Sequence, residues 1–119
     1  MNNYHKGKLA ELIACFYLRC KGYRVIKRNF SSKRGTSAGE IDIVCQNKNT
    51  LIFVEVKQRS SLYNAAYSIF PKQQNRIVHG AQCFIKMNLA YKHFDVRFDA
   101  LLITLPYHIR HIKNAWLAD

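Results

Sequence analysis

The chain predicts a single α/β domain, residues 1–119, in which a central mixed β-sheet of about five strands is flanked by helices. Two observations point there. Segments with apolar residues at helical spacing alternate with β-branched and aromatic runs, in the order helix, three strands, helix, two strands. The length of 119 residues suits one core and is too short for two.

The first helix is expected at Tyr4–Lys21, where Leu9, Leu12, Ile13 and Phe16 recur at helical spacing and Gly22 supplies a stop. Between Lys8 and Arg19 its only charge is Glu11, so the helix reads as largely buried. A buried carboxylate is costly without a partner. Glu11 therefore points at a cation, a basic residue or the rim of a site, or else pairs back to Lys8. A strand follows at Tyr23–Phe30 and runs into a polar, basic loop, Ser31–Ala38. Glu40–Gln46 and Leu51–Lys57 are β-branched runs around Asn47-Lys48-Asn49-Thr50, which has turn chemistry at its centre, and they predict a β-hairpin. In the second helix Pro71 suits a first position, Ile77, Val78, Ala81, Phe84 and Ile85 form the apolar face, and Lys72 and Arg76 share another face. The tail predicts a strand at Asp95–Leu105, a break at Pro106 and a short strand at Tyr107–Ile112, ahead of Trp116.

The charge balance narrows the partners. Nineteen Lys and Arg against seven Asp and Glu give a formal +12, a field that attracts polyanions, and nucleic acid is the commonest of these. The basic residues are spread along the chain with no polybasic cluster beside an amphipathic or spanning segment, which argues against a membrane partner. The N-terminal apolar run is short, contains Glu11 and lacks a small-residue cleavage site, so a cytoplasmic protein is expected. Cys15, Cys20, Cys45 and Cys83 lack CxxC spacing and are expected to be buried free thiols. The five histidines are scattered, and even the closest pair, His108 and His111, reads as surface or packing residues.

Against this basic background, Glu11, Glu40, Asp42 and Glu55 place four of the seven acids before or within the hairpin. Residues two apart on a strand point the same way, so Glu40 and Asp42 share one face, as do Phe53, Glu55 and Lys57. The alternate residues Ile41, Ile43, Cys45, Ile52, Val54 and Val56 form an apolar face suited to a helix. A turn centred on Lys48-Asn49 pairs Asp42 with Glu55 and Glu40 with Lys57. Opposed side chains stand roughly 5 Å apart at Cβ, and two carboxylates there repel unless a cation or proton lies between them. A bound Mg²⁺ would resolve the conflict, and basic surface plus local carboxylates suits phosphodiester hydrolysis. The competing reading is a solvated polar face, with a Glu40–Lys57 surface pair and idle Asp42 and Glu55. Two opposed acids in a chain this short of acids favour the site.

Gly39-Glu40-Ile41-Asp42, twelve residues, then Glu55-Val56-Lys57 resemble the PD-(D/E)xK nuclease signature in its form D-x12-E-x-K. The wider pattern of Gly7, Ala10-Glu11, Leu18, Gly22, Arg28-Asn29, Phe53-Val54-Glu55-Val56-Lys57 and Arg59 is similar to the YraN family of small bacterial proteins. Lys72, Arg76, Ala81, Arg97-Phe98-Asp99 and Asn114-Ala115 extend the likeness over nearly the whole chain. The resemblance implies a restriction-endonuclease-like core similar to archaeal Holliday junction resolvases, with Glu11, Asp42, Glu55 and Lys57 catalytic. It further implies Mg²⁺ held by Asp42, Glu55 and Glu11 with the Val56 carbonyl, Mn²⁺ able to substitute, and Glu40 in a supporting role. Arg59, Lys72 and Arg76 are the expected contacts to nucleic acid, DNA favoured, and a homodimer is expected where paired cuts are needed. Two departures are modest: Ser31–Ala38 is longer than the family's usual loop, and Gln58 stands where threonine is common.

Overall fold

The computed structural model describes residues 3–31, 40–59, 69–104 and 108–118. The loop expected at Ser31–Ala38 falls, apart from Ser31, outside the described residues, as does Pro106. Two α-helices, α1 (Asn3–Cys20) and α2 (Pro71–Met87), accompany β1 (Arg24–Phe30), β2 (Ile41–Asn47), β3 (Thr50–Gln58), β4 (Asp95–Thr104) and β5 (His108–Trp116). The strands form one sheet in the order β1-β2-β3-β4-β5. Only β3 and β4 are parallel, joined by the crossover that contains α2, and the other neighbours are antiparallel. The result is the mixed five-stranded α/β sheet that the sequence predicts, with the layout of a restriction-endonuclease-like core.

The hairpin register is set by its turn. Asn47 pairs with Thr50, Cys45 with Ile52 and Ile43 with Val54, around a Lys48 that takes the left-handed region at φ 56°. Extended by one residue, this register sets Asp42 opposite Glu55, as the turn chemistry predicts.

Among the described residues each face of the sheet carries one helix. Val44, Leu51, Phe53, Phe98 and Ala100 pack with Ile77, Val78, Ala81 and Phe84 of α2. Ile43, Cys45, Ile52, Val54, Leu101 and Ile103 pack with Ala10, Ala14 and Leu18 of α1. Strands covered on both faces explain why the hairpin reads as nearly continuous apolar runs rather than a clean alternation. Edge-to-face contact of Phe84 with Phe30, at 5.2 Å, and stacking of Phe98 on Phe53 and on Trp116, both at 5.8 Å, fill the α2 side.

Three expectations change. β5 continues past Ile112 to Trp116, because a bulge between the Phe98–Trp116 and Ala100–Ile112 pairs lets the strand resume its ladder. α1 is less buried than its composition suggests: Leu12 and Phe16 are 53% and 71% exposed, since the helix touches the sheet along one stripe only. All four cysteines are free, but only Cys15 and Cys45 are buried, with Cys20 exposed and Cys83 half-buried.

The β5 bulge has a polar purpose. Asn114, left-handed, turns its backbone N–H to Asp99 Oδ1 at 3.0 Å. Asp99 is fully buried on the α1 side and also accepts from Arg97 Nε and Nη2, both at 2.8 Å, and from His111 Nε2 at 2.7 Å. Arg97 Nη2 reaches on to Tyr23 Oη at 2.9 Å, and the rings of Tyr17 and Tyr23 meet His111 edge-on. Burial by itself would raise the Asp99 carboxyl. The hydrogen bonds from His111, Arg97 and Asn114, with the Arg97 charge, outweigh it and hold the carboxyl below its ordinary value. The unfolded chain then binds a proton at Asp99 more readily than the folded one. Its contribution to stability is complete above about pH 3.9, the unfolded value, and is lost as pH falls through the lower folded value. Acid unfolding followed by circular dichroism is expected to lose this component below about pH 3.9, and Asp99→Asn is expected to flatten that part of the profile.

Candidate active site

At the end of the hairpin away from its turn the ladder opens. The last paired residues are Ile43 and Val54, and beyond them Asp42 Oδ2 takes the backbone N–H of Val56 at 2.8 Å. A side-chain oxygen thus stands where a strand carbonyl would be, which satisfies Val56 while the two strands part. The gap is a cleft of about 390 Å³ lined by Glu40, Asp42, Glu55, Val56, Lys57, Gln73, Arg76 and Ile77.

Glu55 follows Phe53 on the α2 face and is 5% exposed. Its carboxyl lies within hydrogen-bonding reach of Asp42 and accepts from Gln73 Nε2. Burial pushes it up to about 9, the Asp42 carboxylate adds to the rise, and Lys57 and Gln73 oppose it without reversing it. The opposed pair therefore carries the conflict that strand pairing foretells: two carboxyls side by side in low dielectric, needing a cation or a proton between them.

That donor set fits a hard divalent cation. Two carboxylates on a cleft that Val56 also lines, with the remaining positions left to water, match the way Mg²⁺ is commonly held. Among the described residues no three His, Cys, Asp or Glu side chains converge on one point.

The structure brings together Asp42, Glu55, Lys57, Glu40 and Arg76, and it keeps three other expected residues apart from the cleft lining. Glu11 sits with α1, on the other face of the sheet, and its Oε1 is 3.6 Å from Arg28 Nη2. Of the openings the sequence leaves for Glu11, a basic partner is what the geometry supplies. The pair is not hydrogen-bonded, since Glu11 Oε1 and Arg28 Nε are buried without such partners. Arg59, just past the end of β3, donates from Nη1 to the Gln58 carbonyl at 2.7 Å and is exposed. Lys72 is exposed in the first turn of α2. Gln73 escapes detection in the sequence. Its only signal there is its place one residue after Lys72 and three before Arg76, on a helix whose docking the sequence does not specify.

A sequence profile of the family described as "Uncharacterised protein family UPF0102" matches residues 10–103. The chain belongs to the UPF0102 family. It is similar to the UPF0102 protein of Nitrobacter winogradskyi, 45% identical over 116 residues that cover 98% of this chain and 95% of the relative. A UPF0102 protein of Rhodopseudomonas palustris is 43% identical, covering 98% and 83%, and one of Paramagnetospirillum magneticum is 39% identical, covering 96% and 88%. UPF0102 is the family also called YraN, so the sequence resemblance is to the family the chain belongs to. The family profile spans Asp42, Glu55, Lys57, Gln73 and Arg76, so the whole cleft lies within the matched part of the UPF0102 chain. No helix among its described residues is long and apolar enough to cross a membrane.

Proposed function

We propose that this chain is a metal-dependent endonuclease that hydrolyses phosphodiester bonds of nucleic acid, DNA favoured and branched DNA included. One observation carries the reading: a nearly buried Glu55 opposed to Asp42 beside Lys57, in a cleft of a protein with a formal charge of +12. A basic surface collects polyanions through their phosphates, while the acidic spot inside it would repel them unless a cation intervened.

Asp42, Glu55 and the Val56 carbonyl are the residues that would hold Mg²⁺, with Mn²⁺ able to substitute. When bound, such a cation acidifies a water and draws charge from the phosphate. Lys57, on the same strand face as Glu55, positions or deprotonates the attacking water. Glu40 lines the rim and orients Lys57 across the hairpin. Arg76 faces the cleft and takes the scissile or a neighbouring phosphate, while the exposed Lys72 and Arg59 meet the nucleic-acid backbone further out. Glu11 completes the carboxylate set only by leaving Arg28, so the pair Asp42 and Glu55 is the working core. Cutting both strands of a junction needs two such sites, which makes a homodimer the fitting assembly for that substrate.

The test is cleavage of labelled duplex, single-stranded and four-way-junction DNA, with RNA alongside, in Mg²⁺ and Mn²⁺, with Glu55→Ala as control. Metal-dependent cuts that vanish in the variant are the expected result, and the substrate cut names the class. Salt-sensitive binding with no cuts on any substrate would replace this reading with that of a binding module.

A further inference from the structure

The first turn of α2 meets the cleft through one amide. Gln73 Nε2 donates to Glu55 Oε2, which sets the amide nitrogen against the acid. Gln74, the next residue, makes a local bond to the Ile69 carbonyl at 3.2 Å and so secures the start of the helix. Gln73 instead finds its partner on another element of the fold. Each acid of the pair now has one oxygen tied to a protein donor, Asp42 Oδ2 to the Val56 N–H and Glu55 Oε2 to Gln73. One oxygen of each is left for a ligand. The two donors come from different layers, one from the sheet that carries the acids and the other from the helix that roofs them.

We infer that Gln73 is a positioning residue for the cation, fixing the Glu55 rotamer so that its second oxygen and that of Asp42 bind the same ion. This rests on the metal-site reading of Asp42 and Glu55. A glutamate has three rotatable bonds, and a cleft with room to spare does not fix them. A donor at one oxygen selects the rotamer and favours the ionised form that a metal needs. Groups that hydrogen-bond a ligating side chain are typically worth about 10- to 100-fold in metal affinity or activity. The same bond ties metal occupancy to the seating of α2, which carries Arg76 one turn further on.

Calorimetric titration of Mn²⁺ into the wild-type chain, Gln73→Met and Asp42→Asn tests this, with cleavage followed over a range of Mn²⁺. Methionine keeps the length and apolar stem of glutamine but has no N–H to give. Gln73→Met is expected to unfold at the wild-type temperature without metal, to bind Mn²⁺ about 10- to 100-fold more weakly, and to regain cleavage at saturating Mn²⁺. A folding defect would not be restored by metal. Where the methionine variant does not fold, Gln73→Asn, a donor one methylene too short, carries the same expectation. Mn²⁺ binding by Gln73→Met at wild-type strength overturns the role of Gln73 and leaves the site standing. A wild-type chain that takes up no Mn²⁺ overturns the metal site itself, and this inference with it.

Discussion

Asp42→Asn is expected to lower metal-dependent cleavage by about 10²- to 10³-fold or more, while binding of the same DNA stays within a few-fold of wild type. The size follows from several kcal/mol of metal-derived stabilisation at about 1.4 kcal/mol per tenfold in rate. The choice of asparagine matters. Asp42 serves the backbone and, in the proposed mechanism, the cation as well, and the Val56 N–H needs only a neutral oxygen acceptor, which the asparagine amide still provides. The ladder therefore opens as before, and the change falls on the charge that holds the cation. On the proposed reading DNA affinity would come from the basic surface, which the substitution leaves intact and makes slightly more positive. Cleavage rate and a salt-dependent binding isotherm, measured on one preparation, check both halves. Equal cleavage by the variant would sink the mechanism. A parallel loss of binding would mean that Asp42 supports the fold rather than the chemistry.

The largest effect on stability is expected at Asp99, which pairs with Val54 and lies on the face of the sheet opposite the cleft. Asp99→Ala strands the Arg97 guanidinium, the His111 ring and the Asn114 N–H, all drawn to one fully buried carboxylate. Removing one partner of a buried ionic network typically costs about 3 to 5 kcal/mol, because the remaining charge has lost its counterion. That is a large share of the stability of an ordinary domain. Urea denaturation should show a lower midpoint with an unchanged slope, since the surface exposed on unfolding hardly differs. Arg97 keeps a path to solvent, with 22% of its side chain exposed, so the cost should lie toward the lower end of that range. A loss under about 1 kcal/mol would show that the network rearranges around a water.

What can be read from the sequence, and what cannot, follows from the range of each contact. The opposition of Asp42 and Glu55 is legible because a short turn at Lys48 fixes a register, and a register fixes every pair along two strands. The two helices and the mixed sheet are legible from period and order. The Asp99 cluster is not. Its partners stand two, twelve and fifteen residues away in the chain, with Tyr23 a further seventy-four from Arg97, and only the sheet with its β5 bulge assembles them. A hint is present in Arg97 and Asp99, opposite charges two residues apart on one strand and so on one face of it. Gln73 is hidden for a related reason: the sequence shows the apolar face of α2 but not how far along the sheet it seats, and that seating decides which polar residue reaches Glu55. The partner of Glu11 depends on β1, where a register shift between Val25 and Lys27 and the left-handed Asn29 break the simple alternation that would place Arg28.

The parallel pairing of β3 with β4 also bears on the order in which the molecule assembles. Thr50 pairs with Asp95 and Gln58 with Ile103, partners more than a third of the chain apart, whereas the β2–β3 and β4–β5 hairpins close over short spans. Closing the longer span costs more chain entropy before any contact rewards it. On this ground the hairpins are expected to form early and their joining through the α2 crossover late, which stopped-flow refolding would read as the slower phase. Asp42 and Glu55 would already face each other in the early hairpin, exposed and repelling, and would gain Gln73 and their shelter from solvent only as that last step completes. A divalent cation present during refolding should accordingly act on the rate of unfolding more than on the rate of folding.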